Sequence, residues 1–350
     1  MQTWLITGGA GFIGANFVRL ARTRTQARLL LLDALTYAGD PARLEGCLAP
    51  PATELIRGDI RDAELVGKLF RERAVTHVVH FAAESHVDRS ILGPQAFIQT
   101  NIEGTFTLLE AARQNWKEPT GKLFLHVSTD EVFGSLGPQD PPFHEETPYH
   151  PSSPYSATKA ASDHLVRAWH HTYGLPMAIS NCSNNYGPWQ FPEKLIPLII
   201  LNALEGKDLP VYGDGLQVRD WLHVEDHCEA LLALLERGVS GRTYTIGGHD
   251  ERPNLEIIKR VCDAVDALTG KPPGQAQRLI RHVTDRPGHD RRYAIDATRI
   301  RKELAWRPRR QLETALPEVV KWYVEHKSWA DAVRSGEYKK FYQQLYGERA

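Results

Sequence analysis

Two acidic residues and a tyrosine–lysine pair lie near one another in the middle of the chain. Asp130 and Glu131 follow an apolar run, and Tyr155 precedes Lys159 by four residues. Residues four apart on a helix share one face, so the Lys159 ammonium would lie near the Tyr155 phenol. The positive charge would favour the phenolate and lower the phenol pKa from about 10 toward neutrality. The sequence therefore predicts Tyr155 as a general base.

A glycine-rich segment near the N-terminus predicts a dinucleotide site. Gly8, Gly11 and Gly14 follow the first apolar run and open a stretch of helical spacing. In this setting glycines let the chain turn tightly and approach a pyrophosphate at a helix N-terminus. Asp33 ends the second apolar run, where a carboxylate accepts hydrogen bonds from ribose hydroxyls and repels a 2′-phosphate. These features predict NAD, rather than NADP, as the cofactor.

Each of these motifs also has an ordinary structural interpretation. Asp33 could cap a helix, an isolated Asp-Glu pair is usually a solvated turn, and an isolated Tyr-xxx-Lys is usually a surface pair. Their combination favours a functional site, because the acidic residues would lie at the C-terminal ends of parallel strands, where open α/β sheets bind ligands. Residues 59–60 and 81–83 would lie at the same edge, and we assign them to adenine and cofactor backbone contacts.

The pattern of apolar runs predicts an α/β fold with a Rossmann-like, doubly wound parallel sheet. Strand-like runs alternate with stretches of helical spacing, which is typical of right-handed crossovers between parallel strands. Ser153 followed by Pro154 predicts the start of the helix that carries Tyr155. The predicted strands are 4–7, 28–32, 54–57, 77–81, 122–128 and 177–180, and the predicted helices are 12–24, 62–73, 95–115 and 155–173.

The chain changes character after about residue 182, where glycine- and proline-containing breaks at 184–188, 212–215 and 270–274 separate shorter elements. Such breaks suggest a second, smaller unit packed against the first. We predict an NAD-binding domain over 1–182 and a smaller α/β substrate domain over 183–350. A segment near 220–250 would return to the first domain, with a strand at 242–246 joining its sheet.

The composition argues against several classes of protein. The formal net charge is −1, so neither a nucleic-acid surface nor a basic membrane-binding patch is indicated. Cys47, Cys182, Cys228 and Cys262 are widely separated, which predicts neither disulfides nor a metal site and is compatible with a reducing compartment. With no basic leader and no long apolar run, the sequence predicts a cytoplasmic protein without membrane segments.

Several motifs together resemble the extended short-chain dehydrogenase/reductase superfamily over essentially the whole chain. They are Thr-Gly-Gly-Ala-Gly-Phe-Ile-Gly at 7–14, Phe-Ala-Ala at 81–83, and Ser128 with Tyr155 and Lys159. Within the superfamily, Ser-Thr-Asp-Glu-Val-Phe-Gly at 128–134 is similar to the nucleotide-sugar 4,6-dehydratases, and among these to the group that acts on dTDP-glucose. The segments 83–90, 183–188, 191–197, 217–221 and 285–290 also match that group.

The resemblance implies a dehydration with an internal redox cycle. Tyr155 would take the proton of the sugar 4-hydroxyl while hydride passes to NAD, and Ser128 or Thr129 would hydrogen-bond the new ketone. Glu131 would then remove the carbon 5 proton, and a protonated Asp130 would donate to the departing 6-hydroxyl. Hydride return to carbon 6 would give the 4-dehydro-6-deoxy sugar and regenerate a tightly bound NAD.

The same resemblance assigns roles to many individual residues. Positive charge suited to a diphosphate would come from Lys194, Arg219, Arg286 and His289. The catalytic group is Thr129, Asp130, Glu131, Tyr155 and Lys159. The cofactor-binding group is Gly8, Gly11, Phe12, Ile13, Gly14, Asp33, Thr36, Asp59, Ile60, Phe81, Ala82, Ala83, Ser85, Thr100, Ser128, Tyr155, Lys159 and Asn185. The substrate-binding group is Ser85, His86, Thr129, Asp130, Glu131, Asn184, Lys194, Leu195, Pro210, Tyr212, Arg219, Asn254, Arg286, His289 and Tyr293.

Two other functions remain as alternatives at this stage. A nucleotide-sugar 4-epimerase would use the same Tyr155 and Lys159, but it would have no need for Asp130 and Glu131. A non-catalytic NAD-sensing protein could share the fold, since fold alone does not fix function. The resemblance also implies a homodimer, in which the helices predicted at 95–115 and 155–173 pair with their copies in a four-helix bundle.

Overall fold

The computed structural model describes residues 2–334 and 337–346. Within these residues the main element is a seven-stranded parallel sheet. The strands are β1 Thr3–Thr7, β2 Arg28–Asp33, β3 Thr53–Arg57, β4 His77–His80, β5 Leu123–Thr129, β6 Met177–Cys182 and β10 Arg242–Ile246. Their order across the sheet is β10-β6-β5-β4-β1-β2-β3, so the chain adds strands first on one side of β1 and then on the other, as in a doubly wound fold.

Helices cover the sheet and form most of the C-terminal part of the chain. They are α1 Phe12–Arg24, α2 Ala63–Arg73, α3 Val87–Leu92, α4 Pro94–Phe97, α5 Thr105–Asn115, α6 Pro154–Tyr173, α7 Leu195–Glu205, α8 Val224–Arg237, α9 Asn254–Thr269, α10 Thr298–Leu304, α11 Leu312–Glu325, α12 Lys327–Val333 and α13 Glu337–Tyr346. None of the described helices is long and apolar enough to cross a membrane.

Two small sheets lie beyond β6. One contains β7 Asn184–Tyr186, β9 Val218–His223 and β11 Glu251–Pro253, and the other pairs β8 Leu209–Tyr212 with β12 Ile280–Val283. Short 3₁₀ turns occupy Pro41–Leu44, Asp130–Phe133 and Ala276–Leu279. The Rossmann-like fold class predicted from the sequence is confirmed.

The start of α6 shows how local sequence positions a site helix. Ser153 accepts a hydrogen bond from the Ser156 backbone N–H, and the Ser156 hydroxyl accepts one from the Ser153 N–H. This reciprocal cap, with Pro154 at the first helical position, fixes where the helix begins. Tyr155 is therefore held at the first turn, beside the C-terminal ends of the strands.

The helix predicted over 95–115 changes geometry along its length. Between α4 and α5 the segment Ile98–Gly104 is π-helical. The Asn101 side chain bonds both the N–H and the carbonyl of Glu84, at 2.9 and 3.0 Å. A Cβ at Gly104 would lie 2.4 Å from Ile60 Cδ1. These tertiary contacts accompany the wider turn, which the local spacing could not indicate.

Buried side chains form cores on both faces of the large sheet and a separate core in the C-terminal half. The separate core joins α7, α9 and α11 with β8. The α8 helix, β10 and α10 instead pack into the core of the large sheet. We propose on this basis two domains divided near residue 182, with the later segment around α8 and β10 belonging to the first.

Candidate active site

An open cavity of about 520 Å³ lies at the C-terminal ends of β1 to β6. This is the edge at which open α/β sheets bind their ligands. All of the residues predicted to bind the cofactor line it: Gly8, Gly11, Phe12, Ile13, Gly14, Asp33, Thr36, Asp59, Ile60, Phe81, Ala82, Ala83, Ser85, Thr100, Ser128, Tyr155, Lys159 and Asn185. The structure thus brings together a set that the sequence spreads over about half of the chain.

The glycine-rich turn fits closely against its neighbours. Gly8 has a φ of +70°, and a Cβ there would lie 2.7 Å from the Ala82 backbone nitrogen. A Cβ at Gly14 would lie 2.2 Å from the Gly8 carbonyl oxygen, so the start of α1 packs directly on the turn. Only glycine permits this approach, which leaves the N-terminus of α1 facing the cavity.

Asp33, the last residue of β2, lines the cavity. Its two carboxylate oxygens accept hydrogen bonds from the backbone N–H groups of Ala10 and Leu35, at 2.9 and 2.8 Å. Burial raises the pKa of Asp33, whereas these two backbone bonds and the charge of Arg43 oppose that rise. A fixed carboxylate beside a glycine cradle suits the ribose and pyrophosphate of NAD.

The acidic pair lies in the 3₁₀ turn that follows β5. Asp130 is buried, and its Oδ1 accepts a hydrogen bond from the Thr129 hydroxyl at 3.3 Å. Burial, with the charges of Glu131 and Asp220, raises the pKa of Asp130 well above its usual range. This environment favours the protonated form of Asp130, which suits a general acid.

Glu131 lies in the same turn but has different neighbours. Burial raises its pKa, and the positive charges of Arg286, Lys194 and Arg219 act in the opposite direction. For the neighbouring Asp130, the charges of Glu131 and Asp220 raise the pKa more strongly than the charge of Arg219 lowers it. The different charged neighbours shift the pKa values of the two carboxyl groups by different amounts. Such a difference lets one group act as an acid and the other as a base.

Tyr155 and Lys159 lie on one face of α6 and both line the cavity. The expectation that Lys159 lowers the Tyr155 pKa is wrong for the structure described. Burial raises the Tyr155 pKa well above 10, and the charge of Glu131 adds to that rise. The Lys159 ammonium instead donates to the Val127 carbonyl at 2.9 Å. A hydrogen bond with Thr129 favours the phenolate and partly offsets the rise of the Tyr155 pKa.

A buried polar cluster lies behind these catalytic candidates and was missed by sequence reasoning. Asp163 accepts hydrogen bonds from the Tyr149 hydroxyl at 2.7 Å and from the Asn181 amide at 3.1 Å. The same amide donates to the Thr129 carbonyl at 3.0 Å. Burial would raise the Asp163 pKa, but bonds and charge from His126 and others outweigh it and hold that pKa at about 2. The one sequence feature that could have indicated this cluster is the position of Asp163, one helical turn after Lys159 on α6.

Asp163→Asn is expected to shift the alkaline limb of the kcat–pH profile to lower pH and to reduce kcat about tenfold. Burial lowers the Lys159 pKa, and the Asp163 carboxylate is the first influence that opposes it. Without that charge the ammonium loses its proton at lower pH. Kinetics of the purified enzyme across the alkaline range provide the measurement. Tyr149→Phe keeps the carboxylate and should leave the limb in place, whereas an unshifted limb in Asp163→Asn would contradict the prediction.

The predicted substrate residues fall into two groups. Ser85, Thr129, Asp130, Glu131, Asn184 and Lys194 line the cavity. His86, Leu195, Pro210, Tyr212, Arg219, Asn254, Arg286, His289 and Tyr293 are not among its lining residues. Arg219 and Arg286 nevertheless lie within electrostatic reach of Glu131. The Arg219 guanidinium also lies 4.2 Å from the centre of the Tyr293 ring, so a basic region continues from the cavity toward the C-terminal half.

Further residues line the cavity without having been predicted, among them Arg43, Cys182, Gln190 and Glu193. Glu193 pairs with Arg89 at 3.0 Å, which ties the segment after β4 to the segment before α7. Glu193 lies within the matched segment 191–197, and Gln190 directly precedes that segment. This position is the only sequence feature that could have indicated either residue as part of the site. Among the described residues, no group of three or more His, Cys, Asp or Glu could hold a metal ion.

Comparison with known proteins identifies close relatives. The family model for GDP-mannose 4,6 dehydratase matches residues 5–319. A dTDP-glucose 4,6-dehydratase from Xanthomonas campestris pv. campestris (strain B100) is 54% identical over 345 residues, which cover 97% of this chain and 98% of the relative.

Two solved structures bear on the alternatives. A dTDP-glucose 4,6-dehydratase from Streptomyces venezuelae, with NAD and TYD bound, has a TM-score of 0.88 and 44% identity, covering 95% of this chain and 100% of that one. A UDP-glucose 4-epimerase from Thermus thermophilus, in complex with NAD, has a TM-score of 0.82 and 29% identity, covering 92% of this chain and 99% of that one. The dehydratase is the more similar of the two.

Proposed function

The chain belongs to the GDP-mannose 4,6 dehydratase family, and from that premise we propose that it converts dTDP-glucose to dTDP-4-dehydro-6-deoxy-glucose in an NAD-dependent dehydration. The observation that carries this proposal is the buried Asp130–Glu131 pair, whose members have different charged neighbours, beside Tyr155 and Lys159 in one cavity. A dehydration that passes through a ketone needs an acid and a base as well as a redox centre.

The first step would oxidise carbon 4 of the sugar. When bound, NAD supplies the acceptor and later the donor of a hydride. Tyr155 takes the proton of the 4-hydroxyl, and the hydroxyl of Thr129 stabilises the developing charge. Lys159 adds positive charge from the next turn of α6. Because the Tyr155 phenol is buried and its pKa is high, this base works best with additional positive charge in the cavity.

The elimination would then use the acidic pair. A ketone at carbon 4 acidifies the proton on carbon 5. Glu131 removes that proton, and the positive charges of Arg286, Lys194 and Arg219 favour its ionised form. Asp130, which burial keeps protonated, donates to the 6-hydroxyl so that water can leave. The product would be completed by a hydride at carbon 6, which bound NADH would supply, and by the proton that Glu131 returns to carbon 5.

The epimerase alternative is disfavoured, because an epimerase does not require the elimination that Asp130 and Glu131 would perform. The test is incubation of the purified protein with dTDP-glucose and no added cofactor, followed by mass spectrometry. Loss of one water from the sugar nucleotide, with NAD recovered in oxidised form, supports the proposal. Unchanged mass with inverted carbon 4 stereochemistry would indicate the epimerase, and untouched substrate would indicate an NAD-binding protein.

We further propose that two copies pair through α5, α6 and the segment before α5, as the family resemblance implies. Phe106 and Tyr173 are about half exposed, at 46% and 53%, and Ile98 is 47% exposed. The Phe106 and Trp169 rings contact each other across the two helices, with ring centres 5.8 Å apart. Such an exposed apolar face suits a helix-bundle interface.

Phe106→Glu is expected to convert the dimer to a monomer at micromolar concentration, because a carboxylate would be buried without a partner in the interface. Size-exclusion chromatography with light scattering measures the mass. Leu268→Glu is the matched control, since Leu268 is similarly exposed, at 44%, on α9. A variant at Phe106 that keeps the mass of the unmodified protein would exclude this interface.

A cytoplasmic location also belongs to the proposal. The four cysteines are free and buried, which suits a reducing compartment.

A further inference from the structure

Helix α12, which precedes the last described helix, contacts a loop that lines the cavity. The Trp329 indole N–H donates to Asp40 Oδ2 at 2.7 Å. The Arg43 guanidinium lies 5.3 Å from the centre of the Trp329 ring. Asp40 and Arg43 belong to the segment after β2, of which Thr36, Ala38, Gly39 and Arg43 line the cavity. A residue near the C-terminus is thus attached to the cofactor side of the first domain.

The same loop is joined to the glycine-rich turn through one alanine. The Asp40 backbone N–H and the Arg43 guanidinium both donate to the Ala10 carbonyl, each at 3.0 Å. The Ala10 N–H in turn donates to Asp33 at 2.9 Å. Arg43 also donates to the Ala38 carbonyl. A continuous set of hydrogen bonds therefore connects Trp329 with both predicted NAD-binding features, the ribose carboxylate and the pyrophosphate turn.

Arg43 itself is unusual for a structural arginine. It is fully buried, yet its Nε and Nη2 atoms have no hydrogen-bond partner among the described residues. Burial lowers its pKa to about 10, so the guanidinium still carries its charge at neutral pH. The face of the Trp329 ring offsets part of the cost of burying that charge. The Asp33 carboxylate, which we predict to bind the ribose, lies within electrostatic reach of Arg43.

We propose that Trp329 holds Asp40 and Arg43 in position and thereby slows the release of NAD, with Arg43 as a further cofactor-site residue beside Asp33. This inference rests on the proposed function, in which NAD is regenerated and stays bound between turnovers. The loop and the turn both line the cavity, so NAD held between them leaves more readily when they move apart. The Trp329–Asp40 bond resists that separation from outside the cavity.

Trp329→Phe removes the N–H donor and keeps an aromatic ring. Labelled NAD bound to the purified protein should dissociate into excess unlabelled NAD about ten times faster than from the unmodified protein, which is the effect of losing one hydrogen bond to a charged group. Trp322→Phe is the matched control. The centre of the Trp322 ring lies 5.6 Å from that of Trp329, but no hydrogen bond within the described residues joins its side chain to the loop. Its release rate should change less than about twofold.

A second variant separates this role from general packing. Asp40→Asn keeps the side-chain oxygen that accepts a hydrogen bond from the Ala42 backbone N–H. It replaces the other oxygen, which accepts the Trp329 N–H, with an amide NH₂ group that cannot accept a hydrogen bond. This variant should also release NAD faster, and Trp329→Phe with Asp40→Asn should release it no faster than the faster single variant, because both remove one bond. The proposal would be overturned if the double variant released NAD at a rate raised by the product of the two single effects. It would also be overturned if either single variant released NAD at the normal rate. Release needs no sugar nucleotide, so this result is independent of whether dTDP-glucose is dehydrated.

Discussion

Replacing Glu131 with Gln is expected to give an enzyme that oxidises dTDP-glucose but no longer removes water from it. The amide cannot take the carbon 5 proton, so product formation should fall roughly 10²- to 10⁴-fold. The substitution is isosteric and replaces a group whose pKa burial already raises, so folding should be unaffected. Because the first hydride transfer does not depend on Glu131, NADH should accumulate when substrate is added.

Absorbance of the reduced nicotinamide in a stopped-flow instrument, with product measured by mass spectrometry, tests this expectation. Asp130→Asn should behave in the same way, since it removes the acid that protonates the leaving hydroxyl and not the redox base. Normal formation of the dehydrated sugar by Glu131→Gln would show that another group removes the carbon 5 proton.

Replacing Tyr155 with Phe is expected to stop the reaction one step earlier. Tyr155 is 8% exposed and packs against Phe97, with ring centres 6.3 Å apart, so a phenyl ring preserves the packing. Without the phenol no group takes the proton of the 4-hydroxyl. Neither NADH nor dehydrated product should form, and turnover should fall roughly 10²- to 10⁴-fold. The absence of NADH distinguishes this variant from Glu131→Gln.

Tyr244→Phe provides the matched control for that experiment. Tyr244 is also buried, but it lies in β10 and its hydroxyl donates to Glu303, away from the cavity. It should therefore keep both NADH formation and product formation near normal. If Tyr155→Phe still reduces NAD at the normal rate, the 4-hydroxyl proton goes to a different base, and the assignment of Tyr155 fails.

Much of the fold follows from short stretches of sequence. The run Leu29 to Leu32 predicts a strand buried on both faces, and all four leucines are buried in β2. Ser153 and Pro154 similarly predict the beginning of α6. Such signals are readable because strand alternation, apolar runs and helix caps depend on residues close together in the chain.

Sequence motifs predicted which residues line the candidate site. They could not predict the pKa values of those residues, which depend on burial and on neighbouring charges. The motifs predicted which residues would meet at the sheet edge, but the direction of the Tyr155 pKa was wrong, because burial and Glu131 outweigh Lys159. Spacing on α6 placed the ammonium near the phenol. It could not show that the ammonium bonds the Val127 carbonyl.

The sequence by itself determined the parallel sheet and the cofactor class and predicted the reacting groups, since each rests on residue types at short, fixed spacing. Only the tertiary structure decided how far the two carboxyl groups of the Asp130–Glu131 pair differ in environment, that Asp163 lies behind Lys159, and that Trp329 contacts Asp40. These features depend on burial and on charges from distant segments. Trp329 and Asp40 are 289 residues apart, and no local pattern records a contact that only folding creates.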